Sequence, residues 1–203
     1  IGYPVESYNS ATVTSAQMVK TQNHIRFTLN NGTALIYDYI IKQWAVHSNI
    51  SANASTIYNN QFTYLTSGGS IYTENTANYN DNGTAVNVSA KTSWLSFAGV
   101  NGFQRARRLL ILGEWKSAHT LTVNIYYDYS LTIGQTVTIT ANSDPAPYQY
   151  RIALNQQKCT AMQVEIIESQ SGAGGEGFIL SNLAVEVGVK RGLNKVATAA
   201  QYG

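Results

Sequence analysis

Leu121-Thr122-Val123-Asn124-Ile125-Tyr126-Tyr127-Asp128 decides the fold. Leu121, Val123, Ile125 and Tyr127 fall on one side of an extended chain and Thr122, Asn124, Tyr126 and Asp128 on the other, the two-residue period of a strand with one buried face. The pattern returns at Val137/Ile139, Tyr148/Tyr150/Ile152/Leu154, Met162/Val164/Ile166 and Leu183/Val185/Val187/Val189. With Leu109–Leu112 as a further, continuously apolar strand, at least six strands occupy about 100 residues, a spacing that fits a β-sandwich or jelly roll.

Upstream, Ile25, Phe27 and Leu29 alternate with His24, Arg26 and Thr28, and Leu35 and Tyr37 follow Asn31-Gly32. An Asn-Gly pair between alternating runs predicts a hairpin, because both residues tolerate the positive φ of a type I′ turn. Trp44 and Val46 come next, then a polar stretch at 48–56, then Phe62, Tyr64 and Leu65, a Gly68-Gly69 turn and Ile71-Tyr72. Units near 20–47 and 55–74 each carry a hairpin with glycine at its bend, a weak repeat of the kind propeller blades leave. The expected fold is therefore all-β: partial β-propeller blades over residues 1–75, a linker at 76–92 containing an Asp81-Asn82-Gly83 turn, a jelly-roll-like β-sandwich over 93–189, and a C-terminal tail at 190–203. The tail, without alternation and with three basic residues, is expected to lie along a surface or reach a neighbour.

The chain has 203 residues, is 44% hydrophobic and only 12% charged, about half the usual charged share, and its formal net charge is +2. Such a chain buries a core and exposes a polar, weakly charged surface. So small a net charge supplies no overall drive toward nucleic acid or anionic membrane, so any such contact is local. No apolar run approaches the ~18 residues needed to span a bilayer. The single cysteine, Cys159, forms no internal disulfide and reads as a buried reduced thiol. Asn-x-Ser/Thr triplets at Asn31, Asn49, Asn53, Asn82 and Asn87 are accounted for by a composition rich in those residues. Beginning at Ile1, the chain is expected to be part of a longer one.

No catalytic constellation is present in the sequence. Eleven acidic residues are scattered without a paired-carboxylate motif. His24, His47 and His119 lie far apart with no partner at metal-ligand spacing, and each is expected on the surface or half-buried. Cys159 lacks a nucleophile signature, and there is no Gly-x-Ser-x-Gly elbow. The run Gly172-Ala173-Gly174-Gly175-Glu176-Gly177 leads into strand-like Phe178-Ile179-Leu180 rather than a helix, so it reads as a loop between sandwich strands and not as a phosphate cradle. No catalytic, cofactor-binding or metal-binding residue is nominated.

Two features remain as contact sites. Arg105, Arg107 and Arg108 form the only basic cluster, just before Leu109, with Arg105 and Arg107 sharing a face if the strand begins that early. Guanidinium groups match phosphate oxygens in geometry and charge, but an inter-subunit ion pair or a solvated strand edge is the reading the sequence favours. Tyr37, Tyr39, Tyr58, Tyr126, Tyr127 and Tyr129 could line a sugar-binding face or serve as ordinary β packing.

Several stretches resemble the tail nozzle, tail hub and packaged-DNA stabilisation proteins of short-tailed bacteriophages. They are Gly32-Thr-Ala-Leu-Ile-Tyr-Asp-Tyr-Ile-Ile-Lys-Gln-Trp44; Thr92-Ser-Trp-Leu95 followed by Gln104-Arg105-Ala-Arg107, Leu112-Gly-Glu114 and Ile125-Tyr-Tyr-Asp-Tyr129; and Leu180-Ser-Asn-Leu183 leading into Glu186-Val-Gly-Val-Lys190-Arg-Gly192. They cover most of the chain from about residue 20 onward, in order, and correspond to the family's C-terminal part. The resemblance implies a non-enzymatic virion protein of the phage tail, repeated in a ring below the portal and forming part of the DNA exit channel, with further blades upstream of Ile1. It implies as partners copies of itself, the portal, adaptor or other tail proteins, and non-specific contact with DNA. Arg105, Arg107 and Arg108 would then face DNA in the lumen or a neighbouring subunit. The competing readings are a carbohydrate-binding or receptor-binding β-sandwich module and a glycosidase fragment whose acids lie elsewhere.

Overall fold

The computed structural model describes residues 3–81, 83–97, 104–140, 147–170 and 175–189. The protein is all-β and divides into two units, Ile1–Asn78 and Tyr79–Gly203. The tail at 190–203, Gly172–Gly174 and Asn82 lie outside the described residues.

The first unit opens with a 3-10 helix, Tyr3–Tyr8, followed by β1 (Val13–Val19), β2 (His24–Leu29), β3 (Ala34–Asp38) and β4 (Gln43–His47). These form one antiparallel sheet in chain order, the up-and-down meander of a propeller blade. A second meander, β5 (Ala52–Tyr58), β6 (Gln61–Thr66) and β7 (Ile71–Thr73), has three strands.

The β2–β3 hairpin forms where Asn31-Gly32 predicts one, but not with a type I′ turn. Gly32 alone has positive φ, +79°, and its N–H donates to the Leu29 carbonyl. The loop is therefore four residues long, with glycine taking the left-handed position after the bend. The two-residue loop with both φ values positive is Asn59-Asn60, at 49° and 63°, between β5 and β6. Asparagine reaches that region because its short polar side chain bonds locally.

The two faces of the first meander pack differently. Val5, Leu29 and Leu35 form a small apolar cluster, with Tyr8, Phe27 and Trp44 against it. On the other face Arg26, 3% exposed, lies 4.8 Å over the Phe62 ring of the second meander and donates to both carboxylate oxygens of Glu74 at 3.0 Å. Hydroxyls extend this joint: Ser15 Oγ meets Ser55 Oγ at 2.6 Å, and Thr14 Oγ1 donates to the Ala52 carbonyl.

The second unit contains β8 (Asn80–Asp81), β9 (Thr84–Ala85), β10 (Val88–Lys91), β11 (Gln104–Trp115), β12 (His119–Tyr127), β13 (Gln135–Thr140), β14 (Pro147–Ala153), β15 (Lys158–Cys159), β16 (Met162–Gln170) and β17 (Phe178–Val189). The segment expected as a linker thus carries three short strands. β10 is not a spacer: Val88–Lys91 pairs with Glu165–Glu168, because an edge strand there completes backbone hydrogen bonds that β16 would otherwise leave open.

Two sheets make the sandwich. One has the order β10-β16-β12-β13. In the other, β17 pairs with β11 along Gln104–Trp115, leaving the opposite edge of β11 to β15 at Gln104–Arg105 and to β14 at Arg108–Glu114. Leu109, Ile111 and Trp115 of β11 meet Leu121, Val123 and Ile125 of β12 and Met162, Val164 and Ile166 of β16 in one core. Each such buried aliphatic side chain contributes about 1.5–3 kcal/mol. Leu109–Leu112 is not continuously buried, since Leu109 and Ile111 are fully covered while Leu112 is 42% exposed.

Gly113 lets the core close. A Cβ there would stand 2.1 Å from the Phe178 ring and 2.4 Å from the Ile179 carbonyl. In its absence Phe178 reaches Trp115, centroid to centroid 4.7 Å, and the Trp115 indole N–H donates to Tyr150 Oη at 2.7 Å. Gly177, just before β17, allows a similar approach to the other sheet, since a Cβ there would fall 1.5 Å from Glu168 Oε1. That close approach covers His119, which is buried rather than surface or half-buried and whose Nδ1 lies 2.8 Å from the same Glu168 oxygen.

Candidate interaction face

Burial along β11 changes phase. Gln104 and Ala106 point inward and Arg105 and Arg107 outward; then Leu109, Ile111, Gly113 and Trp115 are inward. Strict alternation cannot carry an inward residue from 106 to 109, so one extra residue must be absorbed. The β11–β17 register shifts there, with Ala106 opposite Val187 and Arg108 opposite Glu186. Arg107 is the extra residue of a β-bulge, which bends the strand and re-aims side chains. Its carbonyl accepts from Leu154 N at 3.2 Å, tying the bulge to the end of β14. Arg105, Arg107 and Arg108 are all exposed as a result.

Register adds two cations. Arg105 stands opposite Lys158, and Arg151 stands opposite Leu110, two positions beyond Arg108. Residues opposite one another across a ladder share a face. The outer face of this sheet therefore carries Arg105, Arg107, Arg108, Arg151 and Lys158, against which stand Glu186 and Glu114. Glu186 is shared: Arg107 Nη1 lies 3.9 Å from Oε1 and Arg108 Nε 3.8 Å from Oε2, with all three side chains well exposed. Ion pairs this open contribute 0–1 kcal/mol. Among the described residues, Arg105 and Arg151 have no carboxylate within ion-pair distance.

Arg151 and Lys158 were missed by sequence reading. The Tyr148/Tyr150/Ile152 alternation already turns Arg151 outward, but which strand lies beside β14 is not written there.

The six tyrosines are divided between the two units. Tyr37, Tyr39 and Tyr58 belong to the first unit, and Tyr126 and Tyr127 are 6% and 4% exposed on opposite faces of β12. Tyr126 Oη donates to Glu165 Oε2 at 2.7 Å, and Lys91 Nζ sits 3.8 Å from its ring centroid. That hydrogen bond, ahead of those from Asn124 and the charge of Lys91, holds the Glu165 carboxyl below its usual range. Tyr129 is exposed and packs on Trp94 at 5.0 Å.

The cysteine, the histidines and the glycine run have structural surroundings. Burial pushes the Cys159 thiol above its ordinary range, so it is protonated at neutral pH, and Gln104 Nε2 lies 3.7 Å from its sulfur. His24 lies 3.8 Å from Asp38, and His47 ends β4 on an exposed edge. The described part of the glycine run joins β16 to β17, with the Gly177 carbonyl accepting from Lys116 N and the Glu176 carbonyl from Ser117 Oγ. Among the described residues, no group of three or more His, Cys, Asp and Glu side chains could hold a metal ion, and no helix is long and apolar enough to cross a membrane.

No protein-family model matches the chain, and no curated protein does. Among solved structures, one of infectious bursal disease virus, Gx strain, is similar at 15% identity and a TM-score of 0.29, over 79% of this chain and 42% of that one. A glycoside hydrolase family 43 arabinoxylan arabinofuranohydrolase from Bacillus subtilis, in complex with cellotetraose, is similar at 10% identity and a TM-score of 0.26, over 86% of this chain and 53% of that one. The chain thus spans about half the length of these structures or less, and likenesses this distant carry no argument about function.

Proposed function

We propose that the chain is a non-enzymatic structural component of a bacteriophage tail, a nozzle or hub subunit below the portal that assembles with copies of itself into a ring around the DNA exit path. One observation carries this reading: several side chains of the two later stretches through which the sequence resembles that family are used in building the second unit. Trp94 packs on Tyr129, and Leu95 bridges to Met162. Asp128, at a φ of 53°, accepts from Thr160 N at 2.6 Å and from Gln156 Nε2 at 2.7 Å, clamping the turn after β14. Gln104 donates to the Leu95 carbonyl and accepts from Phe97 N, and Leu183 packs against the core. Residues committed in this way serve architecture, and the basic outer face is left for contact. Native mass spectrometry of the full-length protein tests the assembly. A closed ring of identical copies is expected, and a strictly monomeric mass, alone and with its virion neighbours, overturns it.

A second reading, a carbohydrate-binding or receptor-binding sandwich module, is favoured by the exposed Tyr129 ring on Trp94, an aromatic pair of the kind sugars stack against. Binding on a glycan array that is lost in Tyr129→Ala supports it.

A further inference from the structure

We infer that the outer face of the sheet formed by β17, β11, β14 and β15 is a binding surface for the phosphate backbone of nucleic acid, contacted by Arg105, Arg107, Arg108, Arg151 and Lys158. The inference names the partner of the face described above, and it rests on the tail-component reading for taking that nucleic acid to be duplex DNA.

Charge is the first argument. Among the described residues five cations stand against two carboxylates on this face, while the whole chain has a formal net charge of only +2. The positive charge is thus concentrated here, which is the local attraction the overall composition lacks.

Residue type and placement supply the second. Four of the five cations are arginines, whose planar donor forks match phosphate oxygens and stay charged at any working pH. The bulge at Arg107 turns two successive arginines to solvent, where regular alternation would offer one. Arg105 and Lys158 are direct cross-strand neighbours, so the two side chains lie on one face of the ladder. Small residues lie beside the arginines: Gly188 opposite Arg105, Ala153 opposite Arg108 and Ala184 opposite Leu110. A polyanion can therefore approach the sheet closely. The Glu186 pairings, longer than hydrogen bonds and exposed, exchange readily for phosphate.

The probe is a short mixed-sequence DNA duplex titrated with the full chain across a salt series, alongside polyglutamate as a mimic of an acidic protein surface. Contacts to three to five phosphates predict a slope of log K against log salt of about −3 to −4.5. Arg105→Gln and Arg151→Gln should each make the slope shallower by about one and weaken binding several-fold, with an unchanged circular dichroism spectrum. Absence of binding at low salt, or a slope indifferent to both substitutions, overturns the inference. So does polyglutamate binding of equal strength and equal sensitivity to them, which would assign the face to an acidic protein. Assembly is read in the same samples. Intact rings that do not bind DNA overturn this inference alone, whereas monomers that bind it overturn only the ring.

Discussion

The two units of this chain use different means to hold one antiparallel sheet against another. In the second, Trp115, Leu109, Ile111, Val123, Ile125 and Met162 are all within 1% of complete burial, and the sheets meet through apolar atoms. In the first, the apolar cluster is small, and the joint between meanders passes through Arg26, Glu74 and paired hydroxyls. Apolar burial is non-directional and tolerates repacking, whereas the Arg26 joint depends on geometry. The comparison shows that strand alternation, present in both units, says where a face is buried but not what holds it.

Trp115→Ala should have the largest effect. It removes the largest fully buried side chain together with its ring contact to Phe178 and its hydrogen bond to Tyr150, for a loss of about 3–5 kcal/mol in chemical denaturation. A loss under about 1 kcal/mol would break the picture of a tightly packed sandwich.

Arg26→Met should cost the first unit less, about 2–3 kcal/mol, because Glu74 is left without its cation but is about one-third exposed and partly rehydrates. Pairing it with Glu74→Leu should recover part of the loss. If Arg26→Met alone is neutral in thermal melts, the first unit is held by apolar packing like the second and the contrast fails.

The smallest effect is one of pH. The Tyr126 hydrogen bond leads the depression of the Glu165 pKa, so the folded state binds the proton less well than the unfolded chain does. The resulting stabilisation is complete above the ordinary carboxylate range and is lost as pH falls through the depressed folded-state value. Melting temperatures measured down an acid series should show this loss, and Tyr126→Phe should reduce it. An identical acid sensitivity in the variant would remove Glu165 from the account.

Much of the fold was legible in the sequence. The runs at Leu121–Tyr127, Tyr148–Leu154 and Met162–Ile166 lie where the strands are, since side chains on a strand must alternate and an apolar core selects one parity. The glycine bends at Gly32 and Gly69 were legible because positive φ is nearly free only without a Cβ. The Asn59-Asn60 turn is less legible, because asparagine reaches positive φ less distinctively than glycine.

The basic face divides along the same line. Composition and order alone determined that Arg105, Arg107 and Arg108 are neighbours in a strand-forming segment and that the fold class is all-β. Only the tertiary structure decided that all three point outward, because a bulge is a response to register against β17 and has no local signature in Ala106-Arg107-Arg108-Leu109. It likewise brought Arg151 and Lys158 beside them, from 43 and 50 residues beyond Arg108, since which strands become neighbours is set by how the sandwich closes over its core. Local sterics write the strand, and long-range pairing writes the surface.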